Sequence, residues 1–128
     1  MAEATLRSGS PLVIDYTPAA GDIAMGQVVV LATVVANNTG LGLTCGVAQR
    51  AITNSTKGAL GVSDAEYNCV AGSNVANYQA VFWDDTNNKV SNTSTNNSLF
   101  GYVTDRQSAA GDVTNAVVTC MHKPFRVS

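Results

Sequence analysis

The sequence predicts an all-β fold, a small curved β-barrel or sandwich of about seven short strands with an extended N-terminal arm. Short β-branched and aromatic runs recur along the 128 residues, clusters of Asn, Asp, Ser, Thr and Gly separate these runs, and no segment shows helical periodicity. A chain of this length suits one domain with one core. We expect residues 1–17 to form the arm and residues 18–128 to form a single β-domain with a short C-terminal tail.

Small and polar residues up to Pro11 predict that the chain begins as an extended segment rather than as a core element. The segment continues into a short β-prone run that ends before Pro18 and consists of Leu12, Val13, Ile14, Asp15, Tyr16 and Thr17. This run can add itself as a strand to the open sheet edge of another chain, or it can pair within its own sheet. The residues leave both arrangements open.

The next three runs predict strands joined by polar turns. Residues 27–36 contain five valines and predict a central strand buried on both faces. In residues 43–53, Gly46 indicates a bulge or a bend. The following hairpin turn ends at Gly58, which is able to take a positive φ. Residues 59–70 predict the return strand, and the polar stretch at their centre favours an edge position.

Residues 78–90 predict the hairpin around which the rest of the chain is organised. Val81, Phe82 and Trp83 are consecutive, so both faces of this strand need cover, one from the core and the other from a neighbouring subunit. The acids and asparagines that follow, from Asp84 to Asn88, are typical of a tight turn. Trp83 is the only tryptophan in the chain.

Two further strands complete the predicted sheet. Residues 99–104 form one of them, and Gly101 stands between two aromatic residues where curvature or close backbone approach favours glycine. Residues 116–121 form the last strand. From His122 onward we expect a tail, in which Pro124 ends any strand pairing.

The composition argues against several functional classes. Charged residues make up only 12% of the chain and the net charge is −2, with lysines and arginines scattered singly, so the electrostatic footprint of nucleic-acid binding is missing. The N-terminal residues do not resemble a signal peptide, and no apolar run is long enough to span a membrane. We therefore expect neither nucleic acid nor membrane as a partner.

Candidate chemical groups are few. The three cysteines, Cys45, Cys69 and Cys120, have no metal-binding spacing and are expected to be buried thiols. The only histidine, His122, is expected to be structural or solvated. Asp84 and Asp85 lack the glycine and glutamate of a calcium loop, so we interpret them as turn residues. The sequence predicts no catalytic residue, no metal site and no cofactor.

The aromatic residues leave two interpretations open. Exposed rings form stacking platforms for bases or sugars, whereas buried rings stabilise a core or a contact between subunits. Because basic neighbours are lacking, we favour core or subunit contacts for Phe82, Trp83, Phe100 and Tyr102.

Several short motifs follow one another in a characteristic order. They are Ile14-Asp15-Tyr16-Thr17-Pro18, Gly26-Gln27-Val28-Val29-Val30, Val81-Phe82-Trp83-Asp84, Lys89-Val90, Gly101-Tyr102-Val103 and Gly111-Asp112 before a valine-rich last strand. This order resembles the capsid cement, or head decoration, proteins of tailed phages. The resemblance extends over most of residues 12–121.

The resemblance implies a structural protein rather than an enzyme. Cement proteins of this kind are small β-folds, made in the cytoplasm of the host bacterium, that sit as homotrimers on the outer surface of an expanded phage head. They bind where several major capsid subunits meet. By this resemblance, the segment from Leu12 to Thr17 would pair with the capsid lattice, and the four aromatic residues would support the core and the trimer contacts.

One alternative function keeps the predicted fold. A carbohydrate-binding or adhesin-type β-module of a virion would use Trp83 and Tyr102 as exposed platforms for sugar rings. A small β-barrel enzyme would instead need a cleft with acids of perturbed pKa, and no residue in the sequence points to such a cleft.

Overall fold

The computed structural model describes residues 3–31, 42–107 and 111–126. In these ranges the chain forms strands and no helix, which confirms the all-β prediction, and accordingly no described helix could cross a membrane. The strands are β1 (Thr5–Tyr16), β2 (Val28–Val30), β3 (Gly42–Leu43), β4 (Cys45–Ala48), β5 (Gly58–Val70), β6 (Ala80–Asp84), β7 (Lys89–Ser91), β8 (Ser98–Asp105), β9 (Val117–His122) and β10 (Phe125–Arg126).

One antiparallel sheet dominates the structure. Seven strands lie in the order β2-β4-β5-β9-β8-β6-β7, and the sheet curls into a half-barrel. The eighth strand, β1, pairs with β5 beside this path, while β10 and β3 form a separate two-stranded sheet. The curled sheet packs a large core cluster around Trp83, Tyr67 and Phe100, and a smaller cluster around Leu60 and Ile52.

Strand β5 lies at the centre of the sheet, so the prediction of an edge position is wrong. It pairs with β1 along one side, and on the other side Gly61 pairs with β4 and Cys69 pairs with β9. The polar middle is tolerated because Asp64 adopts a φ of 64° and its side chain is exposed, whereas Ser63 and Ala65 are buried. A local break in strand regularity therefore removes the carboxylate from the interior.

Among the described residues, strand β2 is at the edge of the sheet and not at its centre, because the partner found for Val28–Val30 is β4 alone. The consecutive residues Val28 and Val29 point to opposite faces of the strand and are both buried. Burial of both faces therefore does not require a central position in the sheet. Residues 32–36 of the predicted strand lie outside the described residues.

Two glycines lie at positions of close packing. Gly46 pairs in regular register rather than in a bulge, and a Cβ there would lie 3.0 Å from Cβ of Leu60, so glycine permits close packing. In the turn before β5, Ser55 has the positive φ of 66°. Gly58 instead begins β5 directly against Ile52, where a Cβ would overlap the isoleucine side chain.

The chain from His122 to Arg126 is held in place and does not form a trailing tail. His122 is completely buried, and the carbonyl of Pro124 accepts hydrogen bonds from N–H and from Oγ1 of Thr44. Phe125 then pairs with Leu43 in the second sheet. The prediction failed because proline lacks only the backbone donor, and its carbonyl still pairs.

Candidate interaction surface

Strand β1 is the most exposed long element of the structure. Nine of its twelve residues pair with β5, on one side, and no pairing on its other side is found among the described residues. Four apolar side chains on it are exposed: Leu6, Leu12, Val13 and Ile14, with Leu12 59% exposed. An open edge with apolar side chains is a template for another chain, because its backbone donors and acceptors lack partners. The edge of β1 is therefore a candidate interaction surface.

The segment expected to be an arm is paired within its own sheet in this structure. Leu12 lies opposite Ser63, and Tyr16 lies opposite Gly58 at the end of the strand. Thr17 follows the strand and is exposed. Of the two arrangements that the sequence left open, the structure therefore has the second. The strand also begins earlier than expected, at Thr5.

Side chains as well as backbone hold β1 on the sheet. Glu66 on β5 accepts hydrogen bonds from Ser8 and Thr104 at 2.8 Å each, and these bonds lower the pKa of its carboxyl group. The guanidinium of Arg7 donates to Oγ1 of Thr119 on β9 at 3.1 Å. Side-chain hydrogen bonds therefore fix the first half of β1 to β5 and to β9.

The register of β1 against β5 is irregular. It shifts between Leu6 and Ser8, between Gly9 and Leu12, and between Leu12 and Val13. Gly9 has a φ of 93°, and a Cβ there would lie 2.8 Å from the carbonyl oxygen of Asp64. From Val13 to Tyr16 the pairing is regular, so the exposed Val13 and Ile14 stand on a straight piece of strand.

The four predicted aromatic residues do not form one surface. Trp83 and Phe100 lie in the core with ring centroids 6.2 Å apart, and Trp83 is only 1% exposed. Its Nε1 donates to Oδ1 of Asp85 at 3.1 Å. Phe82 is half-buried and Tyr102 is 36% exposed. Trp83 is therefore too deeply buried to be the sugar platform of the carbohydrate-binding alternative.

The acids after β6 build the turn of the hairpin, as their sequence pattern indicates. Oδ1 of Asp84 accepts hydrogen bonds from the backbone N–H groups of Thr86 and Asn87, and Oδ2 accepts from the side-chain amide of Asn87. These bonds lower the pKa of the Asp84 carboxyl group. The carboxylate of Asp84 accepts hydrogen bonds within its own turn, so its role is structural.

The three thiols and the histidine are buried in the core. All three cysteines are buried, as predicted. Burial raises the pKa of Cys45 to about 12 and lowers the pKa of His122 to about 3, so both groups are neutral at pH 7. A neutral pair is not the thiolate–imidazolium pair of a cysteine hydrolase. Among the described residues, no cluster of three or more His, Cys, Asp or Glu side chains could hold a metal ion.

Comparison with known families agrees with the resemblance seen in the sequence. A model of the phage cement protein family matches residues 8–119, a span that begins in β1 and ends in β9. Comparisons with curated proteins and with solved structures gave no match. The matched span includes most of the chain and nearly the whole curled sheet. The chain belongs to the phage cement protein family, and its role is that of a cement protein of the phage capsid.

Proposed function

We propose that the protein binds the outer surface of the expanded phage head, bridges neighbouring major capsid subunits, and stabilises the shell against the pressure of packaged DNA. Membership of a cement family implies capsid proteins as partners. The observation that carries the proposal is the open edge of β1, with exposed apolar side chains on a strand that is fixed to a rigid sheet.

The open edge suits an extended segment of the major capsid protein. At about 3.3 Å per residue, the twelve residues of β1 offer an edge of roughly 40 Å. A strand added there gains main-chain hydrogen bonds, and pockets or apolar contacts at alternate side chains supply specificity. Leu12, Val13 and Ile14 provide such contacts on both faces of the added strand. Asp15, Tyr16 and Thr17 complete the proposed capsid-binding segment.

Self-association as a homotrimer would multiply this contact. Three copies present three β1 edges, and after the first edge binds, the others meet neighbouring capsid subunits at high effective concentration. Trp83 and Phe100 are occupied by the core of one subunit. Of the four aromatic residues singled out in the sequence, Phe82 and Tyr102 therefore remain available for contacts between copies.

The proposal is tested by mixing the purified protein with undecorated expanded heads and measuring bound protein after sedimentation. The double variant Leu12→Lys/Ile14→Lys places charges on the open edge, and we expect it to bind at least ten times more weakly than the wild type. The matched control Val117→Lys changes an exposed apolar residue on β9 and should bind like the wild type. Equal binding by the wild type and both variants would show that β1 is not part of the interface.

Two further measurements address assembly and position. Light scattering of the free protein should give three times the mass of one chain, and an antibody against the protein should bind intact virions from outside. The proposed function would be overturned if the protein does not bind heads of its own phage. It would also be overturned if the antibody binds only after the heads have been opened.

A further inference from the structure

We propose that a pocket beside the start of β1 receives one apolar side chain, aliphatic or aromatic, from the segment of the major capsid protein that docks on β1. The inference rests on the proposed function and names the anchor of that contact. The pocket has a volume of about 260 Å³, and residues from β1, β4 and β5 line it, together with the segment before β2.

The lining of the pocket is suited to an uncharged occupant. None of its side chains carries a charge, and Ala4, Leu6, Met25, Val47 and Ala48 present apolar atoms. The two largest polar side chains in the lining are hydrogen-bonded to each other, because Nε2 of Gln49 donates to the hydroxyl oxygen of Tyr67 at 3.1 Å. An occupant therefore needs to supply no charge, and burial of apolar surface is the main contribution to its binding.

The size of the pocket favours a single side chain over a free small molecule. Pockets for drug-sized ligands measure roughly 300–1,000 Å³, which is larger than this one. An apolar cavity of about 150 Å³ is known to hold a benzene ring. A volume of about 260 Å³ therefore has room for one leucine or one aromatic ring with part of its backbone.

The pocket is continuous with the proposed interface. Leu6 belongs to β1, is 46% exposed and lines the pocket, together with Tyr67 on the paired strand β5. A capsid segment that pairs with β1 as far as Leu6 therefore brings a side chain beside the pocket. Met25 also lines the pocket and is 65% exposed, and its flexible thioether side chain can adapt to different apolar partners.

A charge at the pocket tests the inference without disturbing the core. We expect Met25→Glu to weaken binding to undecorated expanded heads at least tenfold, whereas Met25→Leu should bind within twofold of the wild type. Val117→Glu adds the same charge to an exposed apolar residue outside the pocket and should also bind within twofold. Thermal unfolding of each variant confirms that the fold is intact.

The outcomes separate the two proposals. If the wild type binds heads and Met25→Glu binds equally well, the pocket is not the anchor, although the proposed function stands. If the wild type does not bind heads at all, the proposed function fails and the pocket assignment fails with it.

A photochemical cross-link identifies the occupant directly. Photo-methionine replaces the methionines of the wild type and of Met25→Leu, and both proteins are irradiated on heads. We expect a cross-link that depends on residue 25 and joins the major capsid protein at a peptide carrying an apolar residue. A cross-link from residue 25 only to another copy of this chain, or no cross-link that depends on residue 25, would overturn the inference.

Discussion

Sγ of Cys45 lies 3.7 Å from Nε2 of His122 in the core of the half-barrel. The imidazole ring packs against Phe100 with ring centroids 4.6 Å apart, and against the edge of Tyr67 at 5.7 Å. No partner for its Nδ1 is found in the described part of the chain. His122 therefore acts as a neutral aromatic core residue, and protonation of its ring opposes folding.

This burial predicts a loss of stability in mild acid. Because the folded pKa of His122 is about 3 and the ordinary value is 6.5, the unfolded chain takes up a proton first as the pH falls. Between pH 7 and pH 5 the free energy of unfolding should fall by about 2 kcal/mol. Urea denaturation at both pH values measures this change, and His122→Leu should abolish it.

The carboxyl groups act at lower pH and do not obscure this test. Four of them have lowered pKa values through hydrogen bonds in the folded state, so their contribution to stability is lost only as the pH falls below about 5. They are Asp64, Glu66, Asp84 and Asp112. If His122→Leu keeps the full pH dependence between pH 7 and pH 5, groups other than the histidine cause it.

The hairpin from Ala80 to Ser91 could be predicted from sequence because its signals are local. Its turn consists of residues that hydrogen-bond to their own backbone or tolerate a positive φ, and Asn88 has a φ of 57°. The apolar run before the turn also predicted that the side chain of Trp83 must pack against other residues. The sequence also predicts a β-strand for the apolar run Leu12–Ile14, and in the structure this run lies on β1 with its side chains exposed.

The position of β5 and the start of β1 could not be predicted in this way, because both depend on residues distant in the chain. Glu66 looks like an edge residue, yet it is satisfied by Ser8 and Thr104, which are 58 and 38 residues away. Leu6 and Met25 are single apolar residues among polar or small neighbours and carry no local signal. Only the folded sheet brings them together at the pocket.

Gly101 is predicted to be intolerant of any side chain. It has a φ of 154°, and a Cβ there would overlap the carbonyl oxygen of Met121 on the paired strand. We expect Gly101→Ala to destabilise the protein by at least about 3 kcal/mol or to prevent folding. The control Gly21→Ala has a φ of 129° but nothing within 4 Å, so it should cost only about 1–2 kcal/mol. Equal urea midpoints for the two variants would contradict the proposed overlap.

Tyr78 is predicted to destabilise the backbone that carries it. This bulky residue has a φ of 69°, and its side chain is 78% exposed, so little packing compensates for the conformation. Asparagine tolerates the left-handed region better, and we expect Tyr78→Asn to raise the free energy of unfolding by about 0.5–1 kcal/mol. Tyr78→Phe keeps the unfavourable backbone preference and should leave stability unchanged. A less stable Asn variant would show that the tyrosine ring makes a stabilising contact.

Deletion of residues 1–17 is predicted to damage the fold and not merely to remove a binding arm. The deletion exposes the edge of β5, and it removes the buried Ala4 and the Glu3 carboxylate that accepts a hydrogen bond from N–H of Val28. Each lost backbone hydrogen bond costs roughly 0.5–1.5 kcal/mol, so losing the whole of β1 amounts to a large share of a stability of about 5–15 kcal/mol. We expect unfolding or aggregation in size-exclusion chromatography and urea titration, whereas Leu12→Lys/Ile14→Lys should stay within about 1 kcal/mol of the wild type. A truncated protein that keeps the wild-type urea midpoint would show that β1 is a dispensable arm and that the sheet is complete without it.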